Sequence, residues 1–246
     1  MRIQAAAASD VGQQRRANED CFAIAAEHGL YVVADGMGGH AAGQLASELC
    51  CRAMVRAAEV SHSSGGSLTE RLRTAVMHAN HEIFSTAQQR PEVAGMGTTV
   101  VATLVAGDRA ALAHVGDSRA YRLRDGRLRQ LTDDHSLVGE LVRRQEITAD
   151  AARGHPHRHV LTRALGVRPR VEPDLAEVGL QDGDLFMLCS DGLTNHVLDD
   201  EFPKLLDGRR DLQESCDRLV DLANQRGGED NITVVLLRAT LDPQAP

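Results

Sequence analysis

Four aspartates stand at turns beside strand-forming runs: Asp35 in Ala-Asp-Gly-Met-Gly-Gly, Asp117 in Val-Gly-Asp-Ser-Arg, Asp191 in Cys-Ser-Asp-Gly-Leu and Asp230 in Gly-Gly-Glu-Asp-Asn. Any one Asp-Gly pair commonly does nothing more than make a turn. Asp35 and Asp191, however, close runs too apolar to be exposed, Val32-Val33-Ala34 and 185–189, which places both at strand ends on one edge of a core. Carboxylates converging there repel one another unless cations neutralise them, and an oxygen-only ligand set is what Mg²⁺ and Mn²⁺ prefer. Two such ions about 3.5–4 Å apart can hold a hydroxide in line with a phosphorus atom and neutralise its oxygens as charge develops. Hydrolysis of a phosphoester is the chemistry this set favours.

The elements that must position these acids are legible in the periodicity. The run ending at Ala34 reads as a buried strand feeding the glycine-rich turn 36–39. Apolar residues then recur at Leu45, Ala46, Leu49, Ala53 and Ala57, one face of a helix over 42–57. A polar connector over 61–66 precedes a second amphipathic helix through Leu68, Leu72, Ala75, Ala79 and Ile83. Residues 98–106 and 109–115 form β-rich runs around Gly107-Asp108, and 119–124 and 127–131 flank the hairpin signal Asp125-Gly126. Together these predict an antiparallel meander. The polar, His- and Arg-rich stretch 132–159 predicts a mobile excursion with one or two short helices. A helix over 212–224 and a last strand over 232–237 follow. Hairpin-linked strands and consecutive helices favour an α+β layered sandwich over a doubly wound fold.

Composition excludes several classes. The 246 residues, 42% hydrophobic and 25% charged, are those of a globular protein, with one domain the expectation. With no Trp, two Tyr, four Phe and a net charge of −8, the chain lacks both the stacking platforms and the basic surface of a nucleic-acid binder. The five cysteines, Cys21, Cys50, Cys51, Cys189 and Cys216, show no Cys-x-x-Cys pair and suit reduced thiols. The N-terminus has no secretory apolar stretch, and the apolar segments fall well short of the ~20 residues that span a bilayer, so a cytoplasmic, membrane-free protein is expected.

The blocks Arg15-x-x-Asn18-Glu19-Asp20, Asp35-Gly36-Met37-Gly38-Gly39-His40-x-x-Gly43, Gly95-Met96-Gly97-Thr98-Thr99, His114-Val115-Gly116-Asp117-Ser118-Arg119, Leu161-Thr162-Arg163-Ala164-Leu165-Gly166, Ser190-Asp191-Gly192-Leu193 and Asp230-Asn231 occur in that order. In this the chain resembles the bacterial branch of the type-2C, metal-dependent protein serine/threonine phosphatases, over nearly its whole length. The resemblance implies a four-layer α-β-β-α sandwich of two stacked, mainly antiparallel sheets, a catalytic domain over 1–241 with a flap at about 133–160, and a short tail at 242–246. It implies two core Mn²⁺ or Mg²⁺ ions and a third, weaker one. By motif position Asp35 resembles the bridging ligand, the Gly36 carbonyl a ligand of one ion, Asp191 and Asp230 ligands of the other, and Asp117 with Asp191 the third site. Glu19 and Asp20 would orient coordinated waters from outside.

Arg15 is assigned to the substrate phosphate, which a planar guanidinium holds by two oxygens; Arg16, equally basic, is its competitor one position away. His40 is assigned to protonating the leaving seryl or threonyl oxygen, against the plainer reading of a polar residue at a helix N-terminus. Asn231 would bond phosphate or fix Asp230, or simply shape its turn. His155, His157 and His159, with Pro156 among them and no nearby Cys, make a poor zinc triad and fall in the flap, where they would meet substrate or the third ion. The expected partners are phosphorylated proteins, a cognate serine/threonine kinase and its targets, acted on by a monomer. The competing classes are a catalytically silent phosphoprotein-binding regulatory module, which should have lost a ligand, and a phosphatase of anti-sigma-antagonist proteins, which no appended sensor domain favours.

Overall fold

The computed structural model describes residues 1–39, 41–61, 66–206 and 210–241. Most of the predicted connector, at 62–65, and the tail at 242–246 lie outside the described residues. The chain opens with strands β1 (Arg2–Asp10), β2 (Asp20–Ala25) and β3 (Leu30–Met37), then forms helices α1 (Ala41–Ser61) and α2 (Leu68–Gln89). Strands β4 (Gly97–Thr98), β5 (Val100–Ala106), β6 (Arg109–Val115), β7 (Arg119–Arg124) and β8 (Arg127–Gln130) follow. Short helices α3 (Leu137–Arg143) and α4 (Ala149–Arg153) precede β9 (Asp174–Gly179) and β10 (Leu185–Cys189), and α5 (Asp191–Thr194), α6 (Phe202–Leu205), α7 (Leu212–Gln225) and β11 (Ile232–Thr240) complete the order.

Two sheets result, β1-β11-β10-β7-β8 and β2-β3-β5-β6-β9, with β4 paired to β3. Side chains alternate along a strand, so a strand buried on both faces reads as an unbroken apolar run. In β3, Val32 and Ala34 pack with α1 and α2 residues such as Met54, Leu72 and Ile83, while Tyr31 and Val33 turn into the layer between the sheets. In β11, Ile232, Val234 and Leu236 face Leu219 and Ala223 of α7, and Val235 and Leu237 face the other sheet. Three apolar layers therefore separate four layers of backbone, the predicted α-β-β-α sandwich. Each fully buried Val or Leu contributes about 1.5–3 kcal/mol, and in these layers Ala, Val, Leu and Ile replace scarce aromatics.

The expected meander is corrected. Strands β5 and β6 pair in one sheet and β7 and β8 in the other, so the chain crosses between sheets at Gly116-Asp117-Ser118. The turn signal at Asp125-Gly126 is local and real, but hairpin chemistry says nothing about which sheet a hairpin joins. The predicted excursion does carry two short helices, each begun by a hydroxyl cap, Ser136 to the Gly139 N–H and Thr148 to the Ala151 N–H.

Candidate metal centre

Topology gathers the acids at one end of the sandwich. Strand β10 ends and β11 begins side by side, with Cys189 opposite Val234, so Asp191 and Asp230 leave the first sheet together. In the second sheet Asp20 and Asp35 are direct register partners across β2 and β3. Asp117 sits on the crossover between the two. Both sheets thus present carboxylates to one place.

Neutral hydroxyls and amides hold that arrangement. The Asp35 N–H donates to Thr99 Oγ1 at 3.0 Å, its carbonyl accepts from Thr98 Oγ1 at 2.8 Å, and Thr99 Oγ1 pairs with Ser118 Oγ at 2.7 Å beside Asp117. Ser190 Oγ donates to Asp20 Oδ2 at 2.7 Å and accepts from the Thr233 N–H at 3.0 Å, tying the second sheet's acid to the first sheet's backbone. Asp191 Oδ2 accepts from Nδ2 of Asn195, the residue just after α5, at 3.1 Å, and Asp230 Oδ1 accepts from the Asn231 N–H at 2.8 Å.

The electrostatics are those of crowded anions. Burial, reinforced by the charges of Asp20, Asp191, Asp117 and Asp230, holds the Asp35 carboxyl well above the ordinary carboxylate range. Asp117 is raised well above that range by burial and by Asp191 and Asp134, and Asp191 is raised by burial and by Asp230. Burial pushes Asp20 up to about 7 despite its hydroxyl partners. Asp20 Oδ1 and Asp191 Oδ1 are buried with no hydrogen-bond partner, the mark of oxygens meant for a cation. Among the described residues no three of these side chains are already drawn together around a single ion position. The donor set fits Mg²⁺ or Mn²⁺.

Two glycines make room for the centre. A Cβ on Gly36 would lie 2.1 Å from the Gly43 carbonyl oxygen, and one on Gly43 would lie 1.9 Å from Glu19 Oε2. The start of α1 therefore rides directly on β3, and Glu19 is buried against it. Glu19 is strapped in place through its backbone: its N–H donates to Asn231 Oδ1 at 2.8 Å, and its carbonyl accepts from Ser47 Oγ at 2.6 Å and the Gly36 N–H at 3.1 Å.

Asp35 lies within reach of the charges of Asp20, Asp117, Asp191 and Asp230, and Glu19 is buried next to Asp20 in the chain. Arg15 reaches the same place: its Nη2 donates to Asp230 Oδ2 at 2.7 Å while the side chain stays 49% exposed. The Asn231 side chain is taken up by backbone partners. Its amide donates to the carbonyls of Val11 at 2.9 Å and Ala17 at 3.0 Å and accepts from Glu19, so it clasps the loop that carries Arg15 and Glu19. His40 lies outside the described residues. His155 and His157 pack as tilted rings with centroids 5.7 Å apart, while His159 Nδ1 approaches Asp191 Oδ2 at 4.0 Å, so the three do not converge.

A cleft of about 260 Å³ opens from Asp117 and Asp191 toward the flap, lined further by Arg119, Asp134, Val138 and Arg158. Sequence reasoning missed Asp134, which takes the Arg119 guanidinium on both oxygens at 2.9 and 2.7 Å and fixes the wall of this cleft. It missed His135 as well. The available signal was Ser136, a helix cap three residues before Gly139, which marks 132–136 as an ordered lead-in.

The protein family described as Protein phosphatase 2C matches residues 12–236. The serine/threonine phosphatase stp of Listeria monocytogenes is 42% identical over 238 residues, spanning 95% of this chain and 94% of that one. The crystal structure of the Mycobacterium tuberculosis serine/threonine phosphatase PstP superposes with a TM-score of 0.90 at 41% identity, covering 97% of this chain and 99% of that one. A structure of the PstP catalytic domain in complex with two manganese ions superposes at 0.88 with 40% identity, covering 97% and 99%.

Proposed function

The chain belongs to the protein phosphatase 2C family, the metal-dependent serine/threonine protein phosphatases, and from that premise we propose how its residues divide the work. Asp35, the Gly36 carbonyl, Asp191 and Asp230 would hold two Mn²⁺ or Mg²⁺ ions, and Asp117 with Asp191 a weaker third. When bound, such ions acidify the hydrolytic water and neutralise the phosphoryl oxygens. The observation that carries this reading is the convergence of buried carboxylates from both sheets, two of them with an oxygen left without a partner.

Arg15 is the phosphate anchor. Exposed and paired at one nitrogen with Asp230, it has the remaining donors of its planar fork free to turn to two phosphate oxygens. Asn231 positions that anchor by clasping the Arg15 loop, and Glu19 and Asp20 order the waters around the centre. His40 is the residue we assign to donate the proton that the leaving seryl or threonyl oxygen requires. Arg158 of the flap, 3.6 Å from Glu229, and His159 close the mouth from the opposite side.

We assign the catalytic unit to residues 1–241 with its flap over 133–160, and propose a monomer that opposes a serine/threonine kinase by dephosphorylating that kinase and its targets. Among the described residues no helix is long and apolar enough to cross a membrane, and the five cysteines are free; free thiols favour the cytoplasm. The silent-module alternative needs a lost ligand, and each of the matched acids is present in the chain. Asp35→Asn and Asp191→Asn each are expected to abolish hydrolysis of a phosphothreonine peptide with the circular dichroism spectrum unchanged. Turnover like that of the unmodified protein in either variant removes the ligand assignment.

A further inference from the structure

His135 lies at the root of the flap and has no role in the chemistry above. Its side chain is buried, and the residue holds Gly116 at both of that glycine's backbone groups. Nδ1 accepts a hydrogen bond from the Gly116 N–H at 3.1 Å, and the His135 backbone N–H donates to the Gly116 carbonyl at 2.7 Å. Across the ring, Nε2 faces Asp174 Oδ2 at 3.1 Å, and Asp174 is itself paired to Arg163 at 2.5 Å. Because Nδ1 accepts, the ring proton belongs on Nε2, which lies against the Asp174 carboxylate without an aligned hydrogen bond to it. The His135 carbonyl accepts from the Thr162 N–H at 2.8 Å, joining the outgoing end of the flap to the same residue.

Gly116 is the residue before Asp117, at the crossover between sheets. Its φ of +110° is one that side-chain-bearing residues rarely adopt, and a Cβ there would lie 2.6 Å from Thr99 Cβ. Glycine is required, yet glycine has the freest backbone of any residue and by itself does not fix where the next side chain points. Something outside the turn must do so. Ser118, bonded to Thr99, holds the far side of Asp117. On the near side the hold is the two-point clamp from His135.

The geometry points to His135 as the positioning residue that aims Asp117 at the weak third ion and couples that aim to the flap root. This rests on the reading of Asp117 as a ligand of that ion. The clamp predicts an unusual order of tolerance. An asparagine places Oδ1 near the position of Nδ1 and keeps the acceptor for Gly116, whereas a glutamine extends toward the position of Nε2 and keeps the reach to Asp174 but not the acceptor. A residue that merely fills space would rank the other way, since glutamine is nearer to histidine in volume.

The test is calorimetric titration of metal-stripped protein with Mn²⁺ alone, comparing the unmodified protein, His135→Asn, His135→Gln, Asp174→Ala and Asp117→Asn. Loss of a supporting contact outside the ligand shell typically weakens metal binding about 10–100-fold. His135→Gln is expected to lose that much affinity at the weakest site and leave the tighter sites unchanged, while His135→Asn stays close to the unmodified protein. Asp117→Asn is expected to remove the weak site. Should both His135 variants fail to fold, Asp174→Ala, at an exposed position, decides: it removes the carboxylate that Nε2 faces and should weaken the same site several-fold. Weak-site binding that is lost in Asp117→Asn but unchanged in His135→Gln, or unchanged in Asp174→Ala when that variant decides, overturns the role of His135 alone. A weak site untouched by Asp117→Asn, or no third site at all, overturns the ligand reading and this inference together.

Discussion

Asn231 illustrates how a site residue can act through the backbone. Its amide satisfies the buried Glu19 N–H and two carbonyls of the loop carrying Arg15. Asn231→Ala is expected to cost about 1–3 kcal/mol, the penalty for stranding a buried donor, visible as a lowered unfolding midpoint in urea. An unchanged midpoint would mean the clasp is idle. The acids carry a second prediction. Asp20 is at about 7 in the folded chain against an ordinary 3.8, and Asp35 and Asp117 are displaced the same way. A carboxyl raised on folding contributes stability that is complete below the ordinary value and is lost as pH rises through the folded one. The melting temperature of metal-stripped protein should therefore fall from pH 5 to pH 8, and Mn²⁺ added at pH 8 should recover it; a melting temperature that rises over this window would contradict the crowding. The acids themselves were legible in the sequence because strand, acid and glycine fall next to one another. The hydroxyls that hold them, Thr99, Ser118 and Ser190, were not, since a hydroxyl's partner depends on which strands become neighbours.

At the scale of elements, long apolar runs and strong helical periods translated directly: β3, β10, β11, α1, α2 and α7 stand where the pattern placed them. Strand β1 did not announce itself. Its alanine run has helical propensity, and it is a strand because β11 pairs with it from Arg2 opposite Thr240 to Asp10 opposite Ile232. The polarity of 132–159 predicts a mobile excursion with one or two short helices, yet Thr132, His135 and Ser136 are buried, and Ser136 bridges to Leu161. Polarity alone cannot separate a buried hydrogen-bonded root from an exposed flap. Hydrogen exchange should make that division visible: amides of α4 and of α3 beyond its first residue exchanging through local opening, and those of His135, Leu137 and Thr162, which donate to Gly116, Val160 and His135, exchanging far more slowly. A root that exchanges as fast as the helices would refute the ordered lead-in.

For the molecule as a whole, the sandwich explains why the centre lies where it does. Each sheet alone brings a subset of the carboxylates, and only their stacking brings Asp35 of one to Asp191 and Asp230 of the other. Ion binding there joins the two sheets and stabilises the fold by mass action, about 2.7 kcal/mol when the free ion is at 100 times its dissociation constant. The layered sandwich was legible in hairpin-linked strands and consecutive helices, and its four-layer order in the family resemblance; the crossover at Gly116 was not, because the choice of sheet is made by packing among all the strands. The most direct test of the account is hydrolysis of a phosphothreonine peptide by metal-stripped protein, with and without millimolar Mn²⁺. The account predicts no turnover without the ion and full turnover once it is restored. Equal turnover in both, or none in folded and Mn²⁺-loaded protein, would contradict it.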